Sequence, residues 1–203
     1  MYLITGVAGF IGMHFAEKML NQNHKVIGID NLNDYYDSGL KKNRIKLLKK
    51  FKNFKFIKAD LKKSDTYKYI NKSKISHIVH LAGQAGVRYS IKNPGAYVND
   101  NIMAFVNLLE AFKDSKKLKC LVYASSSSVY GKSKEHFSKN YLLKPISMYA
   151  ATKMCMELMS NVYLDLYKLK SIGIRFFTVY GPYGRPDMAY YKFCNQIKKN
   201  EII

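Results

Sequence analysis

The chain has 203 residues, 48% of them hydrophobic, which supplies one substantial core, excludes wholesale disorder and includes no apolar run long enough to span a membrane. Its formal charge is +20, but only Arg44, Arg88, Arg175 and Arg185 of the 34 basic residues are arginines, and the lysines are scattered from Lys41–Lys42 to Lys198–Lys199. Such scatter reads as a solvated basic surface with some attraction for anions, and not as the clustered footprint of a nucleic-acid-binding face.

Strand-like sequence begins at Tyr2, which leaves no room for a signal peptide. Cys120, Cys155 and Cys194 are odd in number and lack metal-ligand spacing, so no metal is expected and a reduced, cytoplasmic setting is. Six apolar runs read as buried strands: Tyr2–Thr5, Lys25–Ile29, Phe54–Ala59, His77–Leu81, Leu118–Ala124 and Ile172–Phe177. Helical patterns fill the intervals at Ile11–Asn23, Ala96–Asp114 and Ser147–Leu169, and Leu40, Ile45, Leu47 and Leu48 suggest another helix within 31–50. The alternation predicts an α/β fold of Rossmann type, a doubly wound parallel sheet with right-handed crossovers. Residues 1–178 would form this dinucleotide-binding domain. The loop and helical stretch of 179–203 would only begin a substrate-binding domain.

The first strand runs into Gly6, Gly9 and Gly12, with Phe10 and Ile11 opening the first helix. Glycines at this spacing permit a tight turn, a close approach to a pyrophosphate and close helix–strand packing, with the pyrophosphate on the helix N-terminus. A lone glycine pattern is weak evidence; its position between strand and helix gives it meaning. About twenty residues on, the second strand ends in Asp30, whose carboxylate suits ribose hydroxyls and would repel a 2′-phosphate. No arginine follows it closely, so NAD is the expected cofactor. Asn31 and Asn33 follow on the same strand end, Asp60 and Leu61 would border the adenine, and Leu81, Ala82, Gly83 and Gln84 would pass beneath the cofactor.

The fifth strand ends in Ser125, Ser126, Ser127 and Ser128, and Tyr149 and Lys153 follow at a helical spacing that puts them on one face. A tyrosine with an ordinary pKa near 10 needs roughly 4 kcal/mol to act as a base near neutrality. One ammonium about 4 Å away supplies about that much at an effective dielectric of 20. A strand-end serine could hydrogen-bond the same reacting oxygen.

With these features in place the chain resembles the extended short-chain dehydrogenase/reductase family. Within it the chain is most similar to the NAD-dependent nucleotide-sugar epimerases that act on UDP-glucuronate, through the runs Gly28 to Asp37, Ala82 to Ser90 and Arg175 to Met188. The resemblance implies reversible oxidation at C4 of a UDP-sugar: Tyr149 takes the 4-hydroxyl proton, Ser126 binds O4, and Lys153 holds the cofactor ribose and lowers the tyrosine pKa. Similar 4,6-dehydratases carry Thr-Asp-Glu where this chain has Ser126, Ser127 and Ser128, and decarboxylating relatives keep a Glu at the place of Ser128. Ser127 and Ser128 would therefore tolerate a sugar carboxylate, with Thr178, Arg185 and Arg88 as further contacts to it or to the diphosphate. Asp100 departs from the small neutral residue usual there. The resemblance also implies a homodimer through the helices beginning near Ala96 and Ser147, and a longer protein than 203 residues. A 4-epimerase for a neutral UDP-hexose and a catalytically silent NAD-binding fragment stay open as alternatives.

Overall fold

A computed structural model describes residues 1–132 and 142–202. Ile203, the end of the expected second segment, lies outside the described residues. Six parallel strands run β1 (Tyr2–Thr5), β2 (Val26–Asp30), β3 (Phe54–Lys58), β4 (His77–His80), β5 (Cys120–Ser126) and β6 (Ser171–Phe176), in the spatial order β3-β2-β1-β4-β5-β6. The chain winds outward from β1 to β3, returns to place β4 against the other side of β1, and winds outward again. Such a reversal opens a crevice at the carboxyl ends of β1 and β4.

Side-chain alternation divides the core in two. Leu3, Ile29, Ile78 and Leu121 pack with Phe105, Leu108 and Phe112 of α5 (Ala104–Phe112) and Met156 of α6 (Met148–Tyr167). Ile4, Val26 and Val79 pack on the other face with Met13, Ala16 and Leu20 of α1 (Phe10–Asn21) and Ile45 and Leu48 of α2 (Ser38–Leu48). Each strand thus buries both faces, as its continuous apolar run predicts. The two edge strands are the exceptions: Lys55 and Lys58 of β3 and Ile172 and Ile174 of β6 are exposed. Beyond β6, α7 (Ala189–Lys198) forms the expected last helical stretch.

Two elements differ from the sequence reading. The helix expected over Ala96–Asp114 is three pieces: a turn, Pro94–Tyr97, a π-helical segment, Val98–Met103, and α5. Asn93 and Pro94 start the first piece, with the Asn93 carboxamide accepting from the Ala96 amide at 3.3 Å. Asn101 is the buried residue of the π-helical segment, a feature often found at functional sites. In α2, the buried stripe consists of Lys41, Arg44, Ile45 and Leu48, so two cations occupy positions where the pattern points to leucines.

Candidate active site

All the residues singled out in the sequence, from Gly6 to Arg185, line one cavity of about 1030 Å³ at the carboxyl ends of the strands. The glycine turn forms its floor. Gly6 has φ of 69°, and a Cβ there would lie 2.6 Å from the Ala82 amide nitrogen, so the turn closes only on glycine. A Cβ on Gly12 would collide with the Gly6 carbonyl, the close helix–strand contact expected of that position. Helix α1 starts immediately after Gly9 with no side-chain cap and no acid in its first turn. Its first amides are therefore donors open to an anion, which is how this turn fits a dinucleotide pyrophosphate.

Asp30 is fixed before any ligand is considered. Its carboxylate accepts from the Ala8 amide at 3.0 Å and the Leu32 amide at 2.8 Å, so the strand end and the glycine turn share one anchor. Burial raises its pKa above the ordinary carboxylate value, opposed by these two hydrogen bonds and by the charges of Lys41 and Arg44. The absence of a nearby arginine in the sequence thus does not carry over to space. Arg44, however, spends its fork on protein acceptors, and the Lys41 ammonium is held by the Asn33 side chain and, at 2.7 Å, by the Asn33 carbonyl. Neither is free to favour a 2′-phosphate. Asn31 accepts from the Asn33 amide at 3.1 Å, which orders this rim.

Farther along, Asp60 and Leu61 sit on a loop tied to α5 by the Asn107 carboxamide, which donates to the Leu61 carbonyl at 2.9 Å. Lys62 reaches Asp60 at 3.4 Å and Asp100 at 3.0 Å, so the unusual Asp100 is paired with a lysine that follows β3.

The reacting end is assembled from β4, β5 and α6. The Ser126 hydroxyl donates to the Ser128 hydroxyl at 3.1 Å and accepts from the Ser128 amide at 3.2 Å, which curls residues Ser127–Tyr130 into a single 3-10 turn. Ser147 caps α6 by accepting from the Ala150 amide at 3.1 Å, and Tyr149 and Lys153 follow one turn apart. Burial raises the Tyr149 phenol above its ordinary pKa, while the hydrogen bond with Ser126 and the charge of Arg185 oppose that rise. Lys153 is buried as well, and burial lowers its ammonium to about 8. Its nitrogen lies 5.9 Å from the Tyr149 ring centre and 3.8 Å from the Met156 sulfur. Ser126 and Arg185 act in the direction expected of Lys153, whose ammonium lines the same cavity as the phenol.

Several residues at the site escape the sequence reading. Asn101 accepts from the Gln84 amide at 2.7 Å and donates to the Gln84 carbonyl at 3.2 Å and the Thr152 hydroxyl at 3.0 Å. It thereby ties the turn after β4 to the helix bearing Tyr149 and Lys153. A carboxamide inside an otherwise apolar helical face is the signal that could have found it. The Tyr97 ring packs edge-on against Tyr149 at 6.0 Å, and its hydroxyl donates to the Ala85 carbonyl at 3.0 Å. Thr178 and Arg88 line the cavity, and among the described residues Arg88 makes no ion pair. Arg185 lines it too, but its fork is held by Asp187 at 3.0 and 2.5 Å, a carboxylate of the chain itself.

A family model described as GDP-mannose 4,6 dehydratase matches residues 3–202. The chain belongs to that family, within the epimerase/dehydratase branch of the extended short-chain dehydrogenase/reductases. It is 48% identical to Protein CapI of Staphylococcus aureus, covering 99% of this chain and 60% of that protein. It is 46% identical to UDP-glucuronate 4-epimerase 2 of Arabidopsis thaliana, covering 99% of this chain and 47% of the relative. Among solved structures, UDP-glucuronic acid 4-epimerase from Bacillus cereus, in complex with UDP-glucuronic acid and NAD, superposes with a TM-score of 0.90 at 36% identity. That match covers 98% of this chain and 63% of the other. The chain thus spans about half to three fifths of the length of these curated relatives.

Proposed function

We propose that this chain carries the NAD-binding and reacting part of a nucleotide-sugar 4-epimerase that interconverts UDP-glucuronate and UDP-galacturonate. The observation that carries the reading is the convergence of Ser126, Tyr149 and Lys153 on one cavity with the glycine turn and Asp30, beside a strand end that bears hydroxyls and no acid. The solved relatives in complex with NAD and a UDP-glucuronate ligand support it.

NAD, when bound, supplies the acceptor and donor of the C4 hydride. Gly6, Gly9 and the α1 amides of Phe10, Ile11 and Gly12 would hold its pyrophosphate, Asp30 a ribose, and Asp60 and Leu61 the adenine edge. Leu81, Ala82, Gly83 and Gln84 would underlie it, with Lys153 at the second ribose. Tyr149 takes the proton of the sugar 4-hydroxyl as C4 is oxidised and returns it as C4 is reduced on the other face. Ser126, already hydrogen-bonded to that phenol, orients the same oxygen. Ser127 and Ser128 present neutral hydroxyls, so the ketone has no neighbouring acid and base to eliminate water, although the family model bears a dehydratase description. Thr178, Arg185 and Arg88 would meet the sugar carboxylate or the diphosphate. Residues 1–178 serve as the cofactor domain and 179–203 as the beginning of the substrate domain.

A homodimer fits the exposed apolar stripe of Leu158, Val162 and Leu166 along α6, and a cytoplasmic setting fits the free thiols of Cys120, Cys155 and Cys194. The deciding experiment incubates this chain, and any longer version of it, with NAD and either UDP-glucuronate or UDP-galactose. Interconversion of the acid sugars supports the reading. Turnover of UDP-galactose alone replaces it with a neutral-hexose epimerase, and NAD binding without turnover by every version leaves a silent cofactor domain.

A further inference from the structure

Arg44 is fully buried, yet it has no carboxylate at hydrogen-bonding distance. One terminal nitrogen donates to the Ala8 carbonyl of the glycine turn at 2.8 Å and to the Tyr36 hydroxyl at 2.7 Å. The other donates to the Tyr183 carbonyl at 2.6 Å and, at 3.5 Å, to that of Gly184. Its Nε has no partner among the described residues. A guanidinium buried on these terms is costly, and an apolar side chain would fill the same space at less cost. What an apolar residue, or a lysine with its single nitrogen, could not do is reach both chain segments with a rigid planar fork.

The two segments it joins are the pyrophosphate turn and the loop immediately before Arg185. That loop is held under strain: Tyr183 has φ of 57°, a left-handed conformation unfavourable for a bulky side chain. A second tie from α1 secures it, the His14 ring to the Pro182 carbonyl at 2.9 Å. The same turn residue, Ala8, meets Arg44 through its carbonyl and Asp30 through its amide. Any ligand that stiffens the turn therefore acts directly on the acceptor set of Arg44.

We infer that Arg44 is a positioning residue that couples the dinucleotide turn to the Tyr183–Arg185 loop, so that NAD binding orders the loop carrying Arg185. The inference rests on the NAD reading above. Coupling of this kind is reciprocal: whatever orders the loop also tightens NAD.

The test is amide hydrogen exchange on the intact chain with and without saturating NAD, with NAD affinity measured separately by calorimetry. In the wild-type chain NAD should slow exchange at Tyr183, Gly184 and Arg185 several-fold, as well as at the glycine turn. In Arg44→Met, NAD should still protect the turn, bind on the order of tenfold more weakly, and leave the loop unprotected. Arg44→Lys should behave like Arg44→Met at the loop, since charge without the fork does not span the gap. His14→Ala, at an exposed contact, should weaken loop protection without lowering thermal stability much. Equal loop protection in wild type and Arg44→Met overturns the coupling, as does NAD binding to the wild type with no change at the loop. Should the Arg44 variants fail to fold, the wild-type comparison decides alone. Failure of the wild type to bind NAD would refute the cofactor reading instead.

Discussion

Lys153 and Tyr149 stand one turn apart on α6, with the ammonium 5.9 Å from the tyrosine ring centre, and burial drives both toward their neutral forms. Ser126 and Arg185 oppose the rise that burial imposes on the Tyr149 phenol. Removing the phenol should therefore separate chemistry from binding. Tyr149→Phe should lower interconversion of the acid sugars by about 10²- to 10⁴-fold while NAD affinity stays within a few-fold. Ser126→Ala should cost less turnover but shift its pH dependence upward, because one of the groups lowering the phenol is gone. A Tyr149→Phe protein that retains full turnover would remove this tyrosine from the reaction.

The same burial makes a stability prediction with a definite sign. Lys153 holds its proton to about pH 8 when folded and to its ordinary value of 10.5 when unfolded. Between those values the unfolded chain binds more protons, so folding stability rises with pH, by about 1.4 kcal/mol per unit at most. Below pH 8 the penalty of the buried ammonium is fully present. Lys153→Met should thus be more stable than wild type at pH 7, and its advantage should shrink between pH 8 and 10.5. Denaturant unfolding at several pH values checks this, and an advantage that does not vary with pH refutes it.

His80 supplies a matching prediction on the acid side. Its ring is completely buried against Phe105, bonded to the Thr5 hydroxyl at 2.8 Å, and its pKa is pushed down to about 3. The unfolded chain protonates near 6.5, so stability from this site is complete above 6.5 and is lost progressively as pH falls toward 3. His80→Asn should flatten that part of the acid unfolding curve while lowering stability at pH 7. An unchanged acid limb in a folded His80→Asn chain would exclude His80 as its source.

Much of this molecule is legible before folding because period and punctuation carry it. The six strands, the glycine turn and the Tyr149–Lys153 spacing follow from local pattern, and the parallel sheet follows from alternation with helices. What escapes are polar groups whose meaning is set by distant chain. Arg44 bonds a carbonyl 139 residues away, and Asn101 reaches Thr152 across 51 residues. No window of neighbouring residues contains those partners.

Asp30 combines a structural and a binding role that should separate by substitution. Its two backbone donors, the Ala8 and Leu32 amides, are left without an acceptor in Asp30→Ala, which should cost about 1–3 kcal/mol of stability together with most NAD affinity. Asp30→Asn keeps one acceptor oxygen and removes the charge. It should therefore lose less stability and narrow the preference for NAD over NADP, since the repulsion of a 2′-phosphate is gone. Calorimetric titration with both dinucleotides measures this. An unchanged preference in Asp30→Asn would place discrimination elsewhere on the rim.

Behind the reacting face, Glu157 lies one turn beyond Lys153 on α6 and receives the Arg175 fork at 2.9 and 2.7 Å and the Ser125 hydroxyl at 2.5 Å. Arg175 in turn donates to the Tyr130 hydroxyl at 3.0 Å. The bonds run from α6 to β5, β6 and the turn after Ser126, so they set how Tyr149 and Lys153 stand relative to the strand-end serines. Burial pushes the Glu157 carboxyl up, but Arg175 and Ser125 together outweigh it and hold the group below its usual range, so this contribution is present at neutral pH and disappears as pH falls through that lowered value. Glu157→Gln leaves Arg175 half-buried without its counter-charge, a loss of about 2 kcal/mol, or roughly 4–8 °C in thermal midpoint for a chain of this size. Arg175→Gln should cost a similar amount. Because each single change already breaks the shared network, the double variant should fall well short of the sum, by about 1 kcal/mol or more. Strict additivity in that cycle would show that the two side chains stabilise the sheet independently and do not hold α6 against β5 as a pair.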